Sequence, residues 1–119
     1  GEKEVIKEYL DGREDRIGSE FSKIESYFRN GWNVTKVAGI GIQSHRWVVD
    51  MDGETDPTLT FEEPFRNNRY ALTVLSTRGA SFNFYWGATN NDIKIAFRNQ
   101  DGSKVKGTVT AMVIVHGEI

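Results

Sequence analysis

The hydrophobic pattern of the chain changes at Asn30-Gly31-Trp32, and this change limits the folds open to it. Before this point, apolar residues recur at heptad positions within a charged segment, namely at Leu10, Ile17, Phe21, Ile24 and Phe28. Such spacing is typical of an α-helical coiled coil. After it, short apolar segments alternate with polar residues to the C-terminus. The sequence therefore predicts a helical coiled-coil stalk over residues 1–30 and an antiparallel β-sandwich head over residues 31–119.

The predicted stalk is a weak helix by itself. Gly12 and Gly18 lie inside the heptad pattern, and each costs about 1 kcal/mol relative to alanine in a helix. An isolated helix of this kind is largely unfolded in water, so we expect association to stabilise it, as a homotrimer. The alternative is an amphipathic helix packed on its own β domain. The chain begins with Gly1 instead of Met, which suggests a fragment of a longer protein.

Strand signals are dense after Trp32. Strands are predicted at residues 34–42, 45–51, 58–62, 69–77, 82–87, 92–98 and 105–115. Turns are predicted at Asp52-Gly53, Arg78-Gly79 and Asp101-Gly102, because glycine accepts a positive φ. Asn30-Gly31 is interpreted as a helix stop for the same reason.

Alternation within the predicted strands assigns side chains to faces. Three sets of apolar residues are predicted to cover the core: Trp47, Val49 and Met51; Phe82, Phe84 and Trp86; and Ile93, Ile95 and Phe97. In the last strand Val109, Ala111, Val113 and Val115 occupy one face, and Met112 and Ile114 occupy much of the other. We expect this strand to be covered on both sides, with a neighbouring subunit as the second cover.

Composition excludes several classes of function. At 119 residues the chain holds one compact domain with a short appendage. The formal net charge is −2, without the basic excess that attracts nucleic acid, and no apolar run is long enough for membrane insertion. Cysteine is absent, which excludes disulfides, thiolate metal sites and cysteine nucleophiles.

No spacing in the sequence marks a catalytic site. Only His45 and His116 are available, and neither has a serine or carboxylate partner at a triad spacing. We therefore predict no catalytic residue and no cofactor. The segment Asp50–Asp56 alternates carboxylates, but its glycine is misplaced for a calcium loop. We interpret it as an acidic hairpin turn and predict no metal site, although any calcium that binds would bind there.

The best candidate for ligand recognition is the segment from residue 82 to residue 92. Sugars are held by aromatic rings that stack on them and by amides and carboxylates that bond their hydroxyls, and this segment contains both kinds of group. The predicted ligand-binding residues are Tyr85, Trp86, Asn90, Asn91, Asp92 and Arg78. Arg66 and Arg69 are secondary candidates for acidic groups. In the alternative interpretation Trp86 caps the core and Asn90-Asn91 is only a turn.

The stretch from Leu59 to Leu72, with its motif Phe61-Glu62-Glu63-Pro64-Phe65, resembles the C-terminal heads of bacteriophage tail fibres and related H-type lectin-like sandwiches. The apolar strand from Val109 to Val115, followed by Gly117, adds to this resemblance. The resemblance implies a homotrimeric β-sandwich tip on a coiled stalk. It also implies an extracellular location on a virion and binding to glycans or proteins of the host surface.

The sequence thus predicts a fibre tip that binds a host-surface receptor, most readily a glycan, without catalysis. Three coaxial sites would multiply a weak affinity. Two alternatives remain. One is a structural trimerisation joint with no ligand. The other is a small glycan-degrading hydrolase, whose carboxylate pair would converge in space and not in sequence.

Overall fold

The computed structural model describes residues 24–119, and this part of the chain is mainly β, with eight strands and no helix. The strands are β1 (Glu25–Arg29), β2 (Trp32–Val37), β3 (Ile40–Asp52), β4 (Thr58–Thr60), β5 (Ala71–Arg78), β6 (Phe82–Trp86), β7 (Asp92–Arg98) and β8 (Lys106–Glu118). They form a five-stranded sheet in the order β1-β2-β3-β8-β5 and a three-stranded sheet in the order β4-β7-β6. All neighbours pair antiparallel. The predicted mainly β, sandwich-like class is confirmed. None of the described elements is a helix that could cross a membrane.

The helix predicted over residues 1–30 is wrong at its C-terminal end. Residues Glu25–Arg29 form a strand that pairs with β2, with Arg29 directly opposite Trp32. Asn30 and Gly31 both have positive φ, at 53° and 85°. They form the two-residue hairpin turn that this geometry favours, so the feature interpreted as a helix stop joins two strands. The rest of the predicted stalk, residues 1–23, lies outside the described residues.

The strands predicted after Trp32 all have counterparts, but the boundary between the first two is misplaced, because residues 40–42 belong to the same strand, β3, as residues 45–51. The segment predicted as a single strand at 34–42 is split by a second two-residue turn at Ala38 and Gly39, where φ is 51° and 77°. The turn glycines Gly53, Gly79 and Gly102 all have positive φ, as predicted.

The core lies between the two sheets. The buried side chains at its centre come from β2, β4, β7 and β8 and include Val34, Leu59, Ile93, Ile95, Phe97, Val109, Ala111, Val113 and Val115. The predicted core faces of β3 and β7 are confirmed: Met51 is buried, Trp47 and Val49 pack partly buried against the core, and the three predicted side chains of β7 are fully buried.

The predicted core face of β6 is wrong. Phe82, Phe84 and Trp86 are exposed at 44%, 47% and 47%. The pairing with β7 explains this orientation, because Phe84 lies opposite Ala96 on the outer side of the sheet, whereas Asn83 lies opposite the buried Phe97. The Asn83 side chain donates a hydrogen bond to the carbonyl of Val74 on β5, at 3.2 Å.

Strand β8 is buried on one face only within the described chain. Val109, Ala111, Val113 and Val115 are fully buried, while Met112 and Ile114 on the opposite face are exposed. The expected second cover by a neighbouring copy stays a prediction.

A buried amide joins the larger sheet to the loop between β4 and β5. Gln43 of β3 is fully buried, and its Nε2 donates to the carbonyl of Glu63 at 2.8 Å while its Oε1 accepts from the Glu63 amide at 3.0 Å. The flanking rings of Phe61 and Phe65 are buried and meet edge to face. The Phe-x-x-Pro-Phe motif is thereby fixed over one side of the core.

Strand β5 is an edge strand, and its pairing with β8 is irregular at the C-terminal end. Ser76 lies opposite Ala111 and Arg78 lies opposite Thr110, so one extra residue is accommodated between them. The hydroxyl of that residue, Thr77, donates to the carbonyl of Thr110 at 3.2 Å. This is a β-bulge, which bends the strand and increases its twist.

Candidate binding face

The outer face of the three-stranded sheet carries a row of exposed rings, which we call the aromatic face: Phe82, Phe84 and Trp86 together with Lys94 and Arg98. The three rings alternate along β6, so they span about 13 Å from first to last. Two cations lie over them. Lys94 Nζ is 5.6 Å from the centre of the Trp86 ring, and the Arg98 guanidinium is 5.1 Å from that of Phe84.

The Asp56 carboxylate holds both Trp86 and Arg98 in position. Asp56 accepts a hydrogen bond from Trp86 Nε1 at 3.0 Å and from Arg98 at 2.9 Å. Its side chain and that of Arg98 are mostly buried, at 10% and 12% exposure. The hydrogen bond from Arg98 lowers the pKa of Asp56 below its usual value, and the bond from Trp86 acts in the same direction. The carboxylate is therefore ionised at neutral pH.

Lys94 is held in a similar way. Its Nζ donates to Thr58 Oγ1 at 2.8 Å, and Thr58 lies directly opposite Lys94 in the β4–β7 ladder. The ammonium group is thus placed beside Trp86 by a neighbouring strand. The aromatic face consists of exposed rings on a regular sheet, with their polar neighbours already positioned by hydrogen bonds. A ring with one free face and a charged group at its rim can stack on an apolar surface while bonding polar substituents.

The residues predicted for ligand binding are not all brought together. Trp86 lies on the aromatic face, but Tyr85 is on the opposite side of β6. There Tyr85 lines an open cleft of about 460 Å³ between β5 and β6, with Leu72, Val74 and Asn83 among its walls. Arg78 is the last residue of β5 and lies near the Phe82 end of β6, whereas residues 90–92 lie beyond the Trp86 end.

Asn90, Asn91 and Asp92 make contacts that fix the loop. The carbonyls of Asn90 and Asn91 accept hydrogen bonds from the amides of Phe65 and Phe61, at 2.8 and 2.9 Å. The Asn90 side chain donates to the carbonyl of Arg66 at 3.2 Å. The Asp92 carboxylate accepts from the Thr89 hydroxyl at 2.8 Å. These contacts match the alternative interpretation, in which Asn90-Asn91 is a turn.

Sequence reasoning missed four members of the site: Asp56, Phe84, Lys94 and Arg98 as neighbours of Trp86. One signal was available. Lys94 and Arg98 stand four residues apart on the face of β7 opposite Ile93, Ile95 and Phe97, so they share the outer side of the sheet. Their contact with the β6 rings depends on the pairing of the two strands, which the sequence does not state.

The acidic segment from Asp50 to Asp56 is divided among separate roles. Asp52 Oδ1 accepts from the amides of Thr55 and Glu54 at 2.7 and 2.8 Å, which lowers its pKa. Asp50 accepts from the Thr108 hydroxyl at 2.7 Å, and Asp56 accepts from Trp86 and Arg98 of the aromatic face. Within residues 24–119, no group of three or more histidine or carboxylate side chains is placed to hold a metal ion.

Comparison with protein-family models and with curated protein sequences gave no match for this chain.

Proposed function

We propose that the chain is a glycan-binding head that attaches a fibre to a host surface without catalysis. The observation that carries this proposal is the exposed aromatic face. Three large rings on a regular sheet remain open to solvent, although the same strand could have buried them by facing the other way. Exposed aromatic rows with fixed polar neighbours suit the stacking of sugar rings.

The charges beside the rings favour an acidic glycan. Lys94 and Arg98 supply two positive charges and Asp56 one negative charge, so the face is positive. Arg98 is neutralised and largely covered by Asp56, which leaves Lys94 as the cation nearest to an incoming ligand. A carboxylate or sulfate on a sugar stacked over Trp86 would lie within reach of its ammonium group.

The state of Asp56 supports binding over hydrolysis. A glycosidase needs a carboxylic acid whose pKa is raised so that it can donate a proton near neutral pH. The pKa of Asp56 is lowered by its arginine and tryptophan partners. The carboxylate on this face therefore acts as a fixed anion and holds its neighbours.

The fibre-tip role and the homotrimer belong to the same proposal. The resemblance of the Phe61–Phe65 motif and of the closing strand to phage tail-fibre heads supports them. Three copies side by side would present three aromatic faces to a repetitive glycan, and linked weak sites bind much more firmly than one. The location that follows is extracellular, at the tip of a virion fibre.

A glycan array of acidic and neutral polysaccharides, followed by titration calorimetry on the best acidic oligosaccharide, tests the proposal. Trp86→Ala should weaken binding by about tenfold, which corresponds to the loss of about 1.4 kcal/mol of stacking. The matched control is Phe28→Ala, which removes an exposed ring from the other sheet and should leave affinity unchanged. Urea unfolding of both variants verifies that each is folded.

Two outcomes would contradict the proposal. An array that stays blank for every acidic and neutral glycan would favour the structural joint. Release of reducing sugar from a bound polysaccharide by the purified chain would favour the hydrolase.

A further inference from the structure

The outer face of the five-stranded sheet carries a second exposed surface, different in character from the aromatic face. Five large aliphatic side chains project from three adjacent strands: Ile42, Val48, Leu75, Met112 and Ile114, and we call this surface the apolar face. The pairing makes it continuous. Leu75 lies directly opposite Met112, and Ile114 is the next outward residue along β8. All five are exposed in the described chain, and Leu75 is 62% accessible.

The apolar face carries few charges. Between His116 at one end and Asp50 at the other, the outward positions hold two charged residues, Arg46 on β3 and Arg78 at the end of the edge strand β5. The other outward positions there are Phe28, Ala71 and a set of serine, threonine and asparagine residues. A sheet that faces water usually alternates apolar inner residues with polar outer ones, and a monomer rarely exposes a large contiguous apolar patch.

The face is large enough for a stable interface. Strands β3 and β8 are 13 residues long, which corresponds to about 43 Å, and five strands about 4.8 Å apart span about 19 Å between the outer axes. Because the other three strands have only 5, 6 and 8 residues, the sheet covers about 700 Å², which is close to the roughly 800 Å² that each partner contributes to a standard protein interface.

We infer that the apolar face is the surface through which copies of this chain pack against one another. This inference rests on the proposed function and deepens it, because it assigns the proposed assembly to a surface. Two features point to a second copy as the occupant. Its apolar side chains are continuous across β3, β8 and β5, so they can pack against the same side chains of neighbouring copies around a common axis. It also carries few charges, since Asp50 balances Arg46 on the same strand and Arg78 stands at the end of the edge strand, so repulsion between identical faces is small.

The two outer faces then have separate tasks. The apolar face belongs to the five-stranded sheet and the aromatic face to the three-stranded sheet, on opposite sides of the core. Packing between copies through the first leaves the second open to a ligand.

Sedimentation equilibrium of the full chain at micromolar concentration is the test. The wild type should have a mass near three times 13.5 kDa, and Ile114→Asp should sediment as a monomer because assembly would bury an unpaired charge. The matched control is Phe84→Asp, which places the same charge at a comparably exposed position on the aromatic face. It should remain assembled.

Three results would overturn the inference: a monomeric wild type, an Ile114→Asp variant that stays assembled, or a Phe84→Asp variant that dissociates. Urea unfolding of Ile114→Asp excludes misfolding as the cause of a monomer, and Leu75→Lys, on the neighbouring strand, should dissociate in the same way. Failure of the proposed function is distinguishable, because a monomeric variant should still bind an acidic oligosaccharide at each site with wild-type affinity.

Discussion

Replacement of Gln43 by methionine should destabilise the head through the loss of two hydrogen bonds. The side chain is fully buried and makes both bonds to the backbone of Glu63, at 2.8 and 3.0 Å. Methionine has nearly the same volume, so cavity formation contributes little. Each bond is worth about 1 kcal/mol net, and the Glu63 amide and carbonyl are left without these partners. We expect the free energy of unfolding to fall by about 2 kcal/mol, or about 30-fold in the unfolding equilibrium.

Urea unfolding followed by tryptophan fluorescence measures this change. The midpoint should shift while the slope with urea stays constant, because the surface exposed on unfolding is the same. The control is Ser44→Ala, which alters the adjacent, outward position of β3 and should change stability by less than about 0.5 kcal/mol. If Gln43→Met is as stable as this control, the amide does not hold the Phe61–Phe65 motif in place.

Three further predictions concern ionisation and backbone geometry. Because its pKa is lowered in the folded protein, the Asp56 carboxylate stabilises the fold above its unfolded pKa of about 4, and this stabilisation is lost as the pH falls through the lower folded value. Asp56→Asn should therefore be less stable than wild type in urea unfolding at pH 6. The difference in stability between the two proteins should shrink below pH 4. Burial raises the pKa of Tyr70 to about 12, so the stability of the wild type should fall between about pH 10 and 12. The Tyr70→Phe variant should lose less stability than the wild type over this pH range. Equal losses of stability in the two proteins would contradict this prediction. Gly79→Ala should melt at a much lower temperature than Gly102→Ala, because both glycines have positive φ but only at Gly79 would the added Cβ collide with the Thr108 carbonyl.

The strands and turns could be predicted from the sequence because local chemistry decides them. Apolar residues at alternate positions point to the same face of a strand, and glycines at tight turns accept conformations that other residues avoid. The buried faces of β3 and β7 followed directly from this alternation.

Two errors show where local chemistry is insufficient. Residues 25–29 contain a heptad position at Phe28, yet they pair with β2, because an adjacent strand and a two-residue turn outweigh helix spacing. In β6 the aromatic residues fit either a core or a ligand face, and pairing with β7 puts them outside. Both outcomes depend on contacts between strands, which hydrophobic periodicity does not encode.

The candidate site was predicted in part for the same reason. Trp86 was identified by its residue type and its place near a sheet-end loop. Its partners Asp56 and Arg98 are separated by 42 residues in the chain and meet only in the folded protein. Asn90 and Asn91 have the right chemistry for sugar hydroxyls, but much of their hydrogen-bonding capacity serves the loop that contains Phe61 and Phe65.

The irregular edge strand β5 has a consequence for crowding. A straight, unpaired edge invites strand addition from a neighbouring molecule and, at high density, fibrillar stacking. The bulge between Ser76 and Arg78 bends this edge and interrupts its ladder of donors and acceptors, so a second molecule cannot extend the sheet along its whole length. At this edge of the larger sheet, the bulge thereby hinders one common route to amyloid-like aggregation.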